Sequence, residues 1–238
     1  MILVIDAGNS RIKWGLWEDR GFVARGAVLT GHPSDLADAL HALPRPTKAI
    51  GSNVAGVTVE AQVEQVLGPW GVRLQWIRSQ ASQCGVVSSY IDPAQLGTDR
   101  WAALIGAHAK FAEACIVVNA GTAVTIDALT ADGRFLGGLI LPGIELMGSV
   151  LSSGTARLPR EPGNFEVFPT TTANAIYSGA LQGICGAVER MERALTSSGQ
   201  VRIVMSGGAA EVIAAQLGRP VTTAADLVLD GLVAIARA

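Results

Sequence analysis

Residues 2–8 read ILVIDAG, and 113 positions further on residues 115–121 read CIVVNAG. Each copy holds four apolar residues in a row, then a polar side chain (Asp6, Asn119), a small residue and a glycine (Gly8, Gly121). A short unbroken apolar run is what a strand buried on both faces presents. A polar residue and a glycine at its end mark the chain leaving the sheet through a tight turn. The continuation repeats too. After the first copy, residues 11–17 alternate with Ile12, Trp14 and Leu16 on one face, and beyond the turn at 19–21 residues 22–28 supply a third strand. After the second copy come residues 123–129, the hairpin dipeptide Asp132-Gly133, and residues 135–141. Both halves therefore open on a three-strand meander.

Behind each meander the pattern switches to α/β alternation. In the first half, 33–43 reads as a helix and 47–52 as a strand. Val59, Val63, Val66 and Leu67 then fall at helical spacing, 73–77 reads as a strand, and 98–111 as a closing helix. In the second half, Ile176, Ala180, Ile184, Ala187, Val188, Met191 and Leu195 form the apolar stripe of one long helix. Residues 201–205 read as a strand ending at Gly207-Gly208, and 226–236 as a final helix. The segment 151–169, with Gly154, Pro159, Pro162 and Gly163, is expected to be a surface loop. The predicted architecture is α/β, with two tandem lobes at residues 1–112 and 113–238.

Composition narrows the class. The 238 residues carry 18 basic and 20 acidic side chains, a net charge of −2, with 49% hydrophobic and only 16% charged residues. A disordered chain would be poorer in apolar residues and richer in charge. Three of the 18 bases are lysines and none are clustered, so no direct nucleic-acid partner is expected. Cys84, Cys115 and Cys185 are widely spaced, without zinc or disulfide patterning. No run of 18 apolar residues predicts a membrane span, and the opening MILVIDAGNS has no basic segment or cleavage site of a secretory leader. The expected location is the cytoplasm.

The polar residues at the strand ends are the candidate chemistry. In Asp6-Ala7-Gly8-Asn9-Ser10, the glycine lets backbone approach an anion and Asn9 and Ser10 offer donors, so the turn can cradle phosphate; as an isolated string it is also an ordinary hairpin turn. Asp6 would face the metal that accompanies a nucleotide, directly or through water. Asn119-Ala120-Gly121-Thr122 is its counterpart. In Tyr90-x-x-Pro93-x-x-x-Gly97-x-Asp99-Arg100, Asp99 has two readings. It is either a helix N-cap, with Arg100 paired to it, or a proton acceptor for a substrate hydroxyl, with Arg100 holding an anionic group. Gly137-Gly138 and Pro142-Gly143 close the second meander, and Gly207-Gly208 is either an adenine-admitting gap or a plain strand-to-helix turn.

Two tandem lobes of this layout resemble the ribonuclease H-like lobes of the actin/hexokinase/Hsp70 nucleotide-binding superfamily, in which two glycine-bearing hairpins grip the phosphates of ATP. The strings DAGNS, YIDPAQLGTDR, NAGTA, GGLILPG and TANAIYSG, in this order over residues 6–179, resemble type III pantothenate kinases. That resemblance implies ATP-dependent phosphorylation of pantothenate to 4′-phosphopantothenate, the first step toward coenzyme A. It also implies a homodimer, magnesium with the ATP, and a monovalent cation (potassium or ammonium). Carried over by position, Asp6, Gly8, Asn9, Ser10, Arg11 and Lys13 match the first phosphate-binding segment, and Gly121 and Thr122 the second. Asp99 matches the proton acceptor. Tyr90, Gly97, Thr98, Asp99, Arg100 and Thr172 match the pantothenate contacts. One position departs: the family commonly has Asp, a ligand of the monovalent cation, where this chain has Asn119. Losing a unit charge about 4 Å from a cation removes on the order of 4 kcal/mol at an effective dielectric of 20. The alternative reading is a non-catalytic accessory protein of transcription, since similar chains also carry the name Bvg accessory factor. A kinase or phosphatase of the same superfamily with another substrate is a third.

Overall fold

The computed structural model describes residues 1–154, 161–196 and 199–238. By backbone proximity the chain forms two compact units: residues 1–112, 132–135 and 226–238, and residues 113–131 and 136–225.

In the first unit β1 (Ile2–Ala7), β2 (Arg11–Glu18) and β3 (Gly21–Leu29) form the expected antiparallel meander, and β4 (Lys48–Asn53) and β5 (Leu74–Trp76) follow in parallel. The sheet order is β3-β2-β1-β4-β5. Alternation along β1 sends Leu3, Ile5 and Ala7 into a core closed by Leu36 and Leu40 of α1 (Asp35–His41) and Val59, Val63 and Leu67 of α2 (Val57–Leu67). Burying such a side chain stabilises by roughly 1.5–3 kcal/mol. The opposite face, with Asp6, is the one that α7 (Leu227–Arg237) covers, packing on β1, β2 and β4 and against α3 (Thr98–Lys110). Helices α3 and α7 approach so closely that a Cβ on Gly106 or Gly231 would overlap backbone of the other helix.

The second unit repeats that plan. β8 (Ala114–Ala120), β9 (Ala123–Leu129) and β10 (Arg134–Pro142) make the meander, and β11 (Val201–Ser206) and β12 (Thr222–Thr223) continue parallel to β8. The order β10-β9-β8-β11-β12 matches β3-β2-β1-β4-β5 strand for strand. The repeat in sequence is thus a repeat in topology. Ile116, Val118 and Ala120 meet Leu181, Ile184 and Val188 of α5 (Thr172–Thr196) and Ile213 of α6 (Ala210–Gln216).

Several boundaries differ from the expectations. The helix expected at 33–43 is only α1, because 32–34 form turns closed by Asp35 N–H to His32 and Leu36 N–H to Pro33. The strand expected at 73–77 holds only three residues. Residues 151–154 of the expected loop are helical, as the end of α4 (Ile144–Gly154), while 161–170 carry no helix or strand. Pro159 lies outside the described residues. β6 (Ser82–Gln83) and β7 (Val86–Ser88) were not expected; β7 pairs with the first residues of β10, Arg134 with Val87 and Phe135 with Ser88.

Candidate active site

In the first unit the site grows from register. Asp6 stands opposite Lys13 on β2 and Ser52 on β4. Directly paired residues share a face, so all three lie on the α3 side of the sheet. The Ser52 hydroxyl is fully buried and hydrogen-bonds Thr98 Oγ1 at 2.9 Å. That contact ties β4 to the first residue of α3 and brings Asp99 beside Asp6.

Asp99 is not the N-cap. Gly97 is, with no side-chain cap bond, and Asp99 sits inside the first turn, its Oδ1 accepting the Arg100 backbone N–H at 2.8 Å. A Cβ at position 97 would lie 2.7 Å from Asp99 Oδ1, so glycine there leaves the carboxylate its room.

Both carboxyls are partly buried. Burial, the charge of Asp99 and, against these, the charge of Lys13 push the Asp6 carboxyl from 3.8 up to about 7. Burial likewise pushes Asp99 above the ordinary carboxylate range, opposed by the Arg100 N–H and the Arg100 charge. Asp6 Oδ1 is buried with no hydrogen-bond partner. An orphaned carboxylate oxygen beside a second carboxylate fits a hard cation, which prefers oxygen ligands and would satisfy both charges.

Arg100 is a charged residue with only 5% of its surface exposed. Its Nη1 donates to Tyr90 Oη at 3.1 Å, and its guanidinium lies 5.9 Å from the ring centroids of both Tyr90 and Phe135. The turn after β1 is closed by Gly8 N–H to Arg11 O at 3.1 Å, and Thr30 braces it, donating its hydroxyl to Gly8 O at 2.7 Å. Asn9, Ser10 and Arg11 are exposed on this turn.

In the second unit the corresponding turn is closed in the same way, Gly121 N–H to Ala123 O at 3.1 Å. Gly143 N–H donates to Thr122 O at 2.8 Å, and Ala209 N–H to Ala120 O at 3.1 Å. Cβ atoms at Gly143 or Gly207 would overlap the backbone of 120–122, and Gly207 has φ +97°. This gives the Pro142-Gly143 and Gly207-Gly208 strings one shared structural reason: they press against the turn that carries Gly121 and Thr122. Asn119 stands opposite Thr125 and Ser206, so the three side chains lie on one face of the sheet. Thr172 opens α5 and lines a cavity of about 430 Å³ with Met147, Leu151 and Ile176.

Of the expected site residues, Asp6, Gly8, Asn9, Ser10, Arg11, Lys13, Tyr90, Gly97, Thr98, Asp99 and Arg100 fall in the first unit, and Asn119, Gly121, Thr122 and Thr172 in the second. Sequence reasoning missed Ser52 and Phe135. Ser52 is one polar residue in a strand, and Phe135 one apolar residue in another; neither carries a local signal.

The family description for type III pantothenate kinases matches residues 2–194. A type III pantothenate kinase of Aromatoleum aromaticum is 46% identical over 237 residues, covering 100% of this chain and 98% of that protein. Among solved structures, one of a Campylobacter jejuni protein described as a Baf family transcriptional activator aligns with TM-score 0.62 at 21% identity, covering 99% and 97% of the two chains. A Sinorhizobium meliloti protein described as a 2-dehydro-3-deoxygalactonokinase aligns with TM-score 0.61 at 17% identity, covering 100% and 98%. At these identities the two structures establish the two-lobed α/β fold.

Proposed function

Since the chain belongs to the type III pantothenate kinase family and catalyses ATP-dependent phosphorylation of pantothenate to 4′-phosphopantothenate, the first step of coenzyme A synthesis, we propose how its own residues divide that work. Asp99 accepts the proton of the pantothenate primary alcohol while that oxygen bonds to the γ-phosphorus and the bond to ADP breaks. Phosphoryl transfer asks mainly for positioning and charge neutralisation. A carboxylate raised above its ordinary range by burial is a better proton acceptor than one in water. Arg100 and Tyr90, with Gly97 and Thr98 shaping the head of α3, hold the pantothenate, Arg100 meeting its carboxylate. Thr172 makes a further substrate contact. In the first unit the exposed turn carrying Gly8, Asn9, Ser10 and Arg11, with Lys13, is the first phosphate-binding segment we assign; in the second unit we assign the same role to Gly121 and Thr122.

Asp6 would hold the magnesium that accompanies ATP, directly or through water, and that ion would neutralise phosphate charge. Its orphaned Oδ1 supports this assignment. Asn119 would contact a monovalent cation, potassium or ammonium, through its amide oxygen. Equal activity in potassium, ammonium and sodium would remove that part. A homodimer is the assembly we propose, supported by α4, which buries none of its residues and exposes Leu146, Val150 and Leu151. Light scattering that returns a single chain mass would contradict it. A cytoplasmic location accords with three cysteines that are all free thiols; fractionation of the native cells tests it.

The observation that carries this division is the pair of partly buried carboxyls, Asp6 and Asp99, each raised by its burial, beside the part-buried Arg100–Tyr90 contact. Steady-state kinetics test it. Asp99→Asn is expected to lower kcat by at least about a hundredfold, the size of a general-base contribution. Arg100→Gln is expected to raise KM for pantothenate while sparing KM for ATP. An Asp99→Asn enzyme with unchanged kcat contradicts the assignment.

A further inference from the structure

Three side chains close a triangle in the first unit. The Arg100 guanidinium is 5.9 Å from the Tyr90 ring and 5.9 Å from the Phe135 ring, and the two rings lie 5.4 Å apart with a 33° tilt. Arg100 Nη1 also donates to Tyr90 Oη. Phe135 is completely buried, whereas Tyr90 keeps partial exposure. So two members of the triangle carry polar groups and the third is a hidden apolar support.

Phe135 reaches this place from 45 residues beyond Tyr90 in the chain, through the pairing of β10 with β7. Its carbonyl accepts the Ser89 N–H at 3.0 Å, immediately before Tyr90. The backbone of Phe135 thus fixes the strand that leads to Tyr90, and its ring backs both head groups. A long arginine side chain has many rotamers, and holding it in one before substrate arrives removes an ordering cost from binding. An aromatic face does this without supplying a competing anion, because it attracts the guanidinium through the ring quadrupole rather than through a charge pair.

We propose that Phe135 is a positioning residue for pantothenate recognition, its ring holding the Arg100 guanidinium and the Tyr90 ring in the substrate-accepting arrangement. The inference rests on the reading of Tyr90 and Arg100 as pantothenate contacts. Phe135 itself touches no substrate and takes no part in the chemistry.

The test uses the full-length enzyme with Phe135→Leu and Phe135→Met, which keep apolar bulk but remove the ring, and Phe135→Tyr, which keeps it. Each is assayed well below its measured melting temperature. The two ringless variants are expected to raise KM for pantothenate roughly tenfold, the scale of a desolvated cation–π contact, with KM for ATP unchanged. Phe135→Tyr is expected to restore most of the affinity. Having two ringless variants guards against one of them failing to fold. Unchanged KM for pantothenate in a folded ringless variant overturns the inference, as does an equal rise in both KM values, which a merely structural role produces. Arg100→Gln separates the two layers. If it leaves KM for pantothenate unchanged, the reading of the contacts fails and this inference with it; if it raises KM while Phe135→Leu and Phe135→Met do not, this inference alone fails.

Discussion

Asp6 and Asp99 are two acids whose carboxyls burial pushes above the ordinary range, and the consequences are measurable. Asp6 titrates at 3.8 in an ordinary setting and at about 7 here. The folded chain therefore binds this proton more tightly than the unfolded chain does. The resulting stabilisation is complete below about pH 4 and is lost as pH rises to about 7. Asp6→Asn, which cannot ionise, is expected to melt above the native protein at pH 8 and to lose that advantage at pH 4. Added magnesium should raise the native melting temperature at pH 8 and leave the variant unmoved. A native protein whose melting point tracks that of Asp6→Asn at every pH contradicts the buried-acid account. Gly97 makes a second case. Its φ of −54° suits any residue, yet a Cβ there would press on Asp99 Oδ1. Gly97→Ala is expected to fold normally and to lower kcat on the order of tenfold to a hundredfold, the cost of a catalytic group misplaced by about 1 Å. At this scale the sequence was legible in placing Asp99 and Arg100 together at the start of a helix. It was silent on the burial of Arg100 and on Ser52, because burial is decided by whichever segments pack around a residue.

The elements show where local pattern governs and where it yields. β1 and β8 are legible because each is buried on both faces and so reads as an unbroken apolar run. α5 is legible because seven apolar positions keep one helical face over five turns. The strands β6, β7 and β12 have two or three residues each, and no period can be read from so few. Their existence depends on a neighbour offering backbone partners, as β10 offers them to β7. α1 begins late because the turns at 32–34 satisfy the groups that the first helical turn would otherwise use. Gly143 and Gly207, after β10 and β11, press on the 120–122 turn, a contact that neither reading of Gly207-Gly208 from sequence contained. Gly207→Ala should therefore cost about 1–3 kcal/mol in backbone strain alone, with more from the overlap. It should also raise KM for ATP as the Gly121–Thr122 turn shifts. A stable Gly207→Ala protein with native KM for ATP contradicts the role given to that contact.

Across the whole molecule, duplication is what made the fold readable from one chain. Two copies of a short string are weak, but two copies with the same continuation imply the same topology, and the strand orders β3-β2-β1-β4-β5 and β10-β9-β8-β11-β12 match. The fold class followed from that repeat. The substrate did not: sequence pattern and geometry lead to an α/β protein with a carboxylate and an arginine at the head of α3 and a tyrosine against that arginine, and the family relationship supplies ATP and pantothenate. No helix among the described residues is long and apolar enough to cross a membrane. The central claim is that this chain phosphorylates pantothenate with Asp99 as proton acceptor. Mass-spectrometric detection of 4′-phosphopantothenate, from purified native and Asp99→Asn protein given pantothenate, ATP and magnesium, tests it most directly. The account predicts product from the native protein and only a trace from a folded Asp99→Asn variant. Equal product from both proteins, or none from a folded native protein, would contradict it.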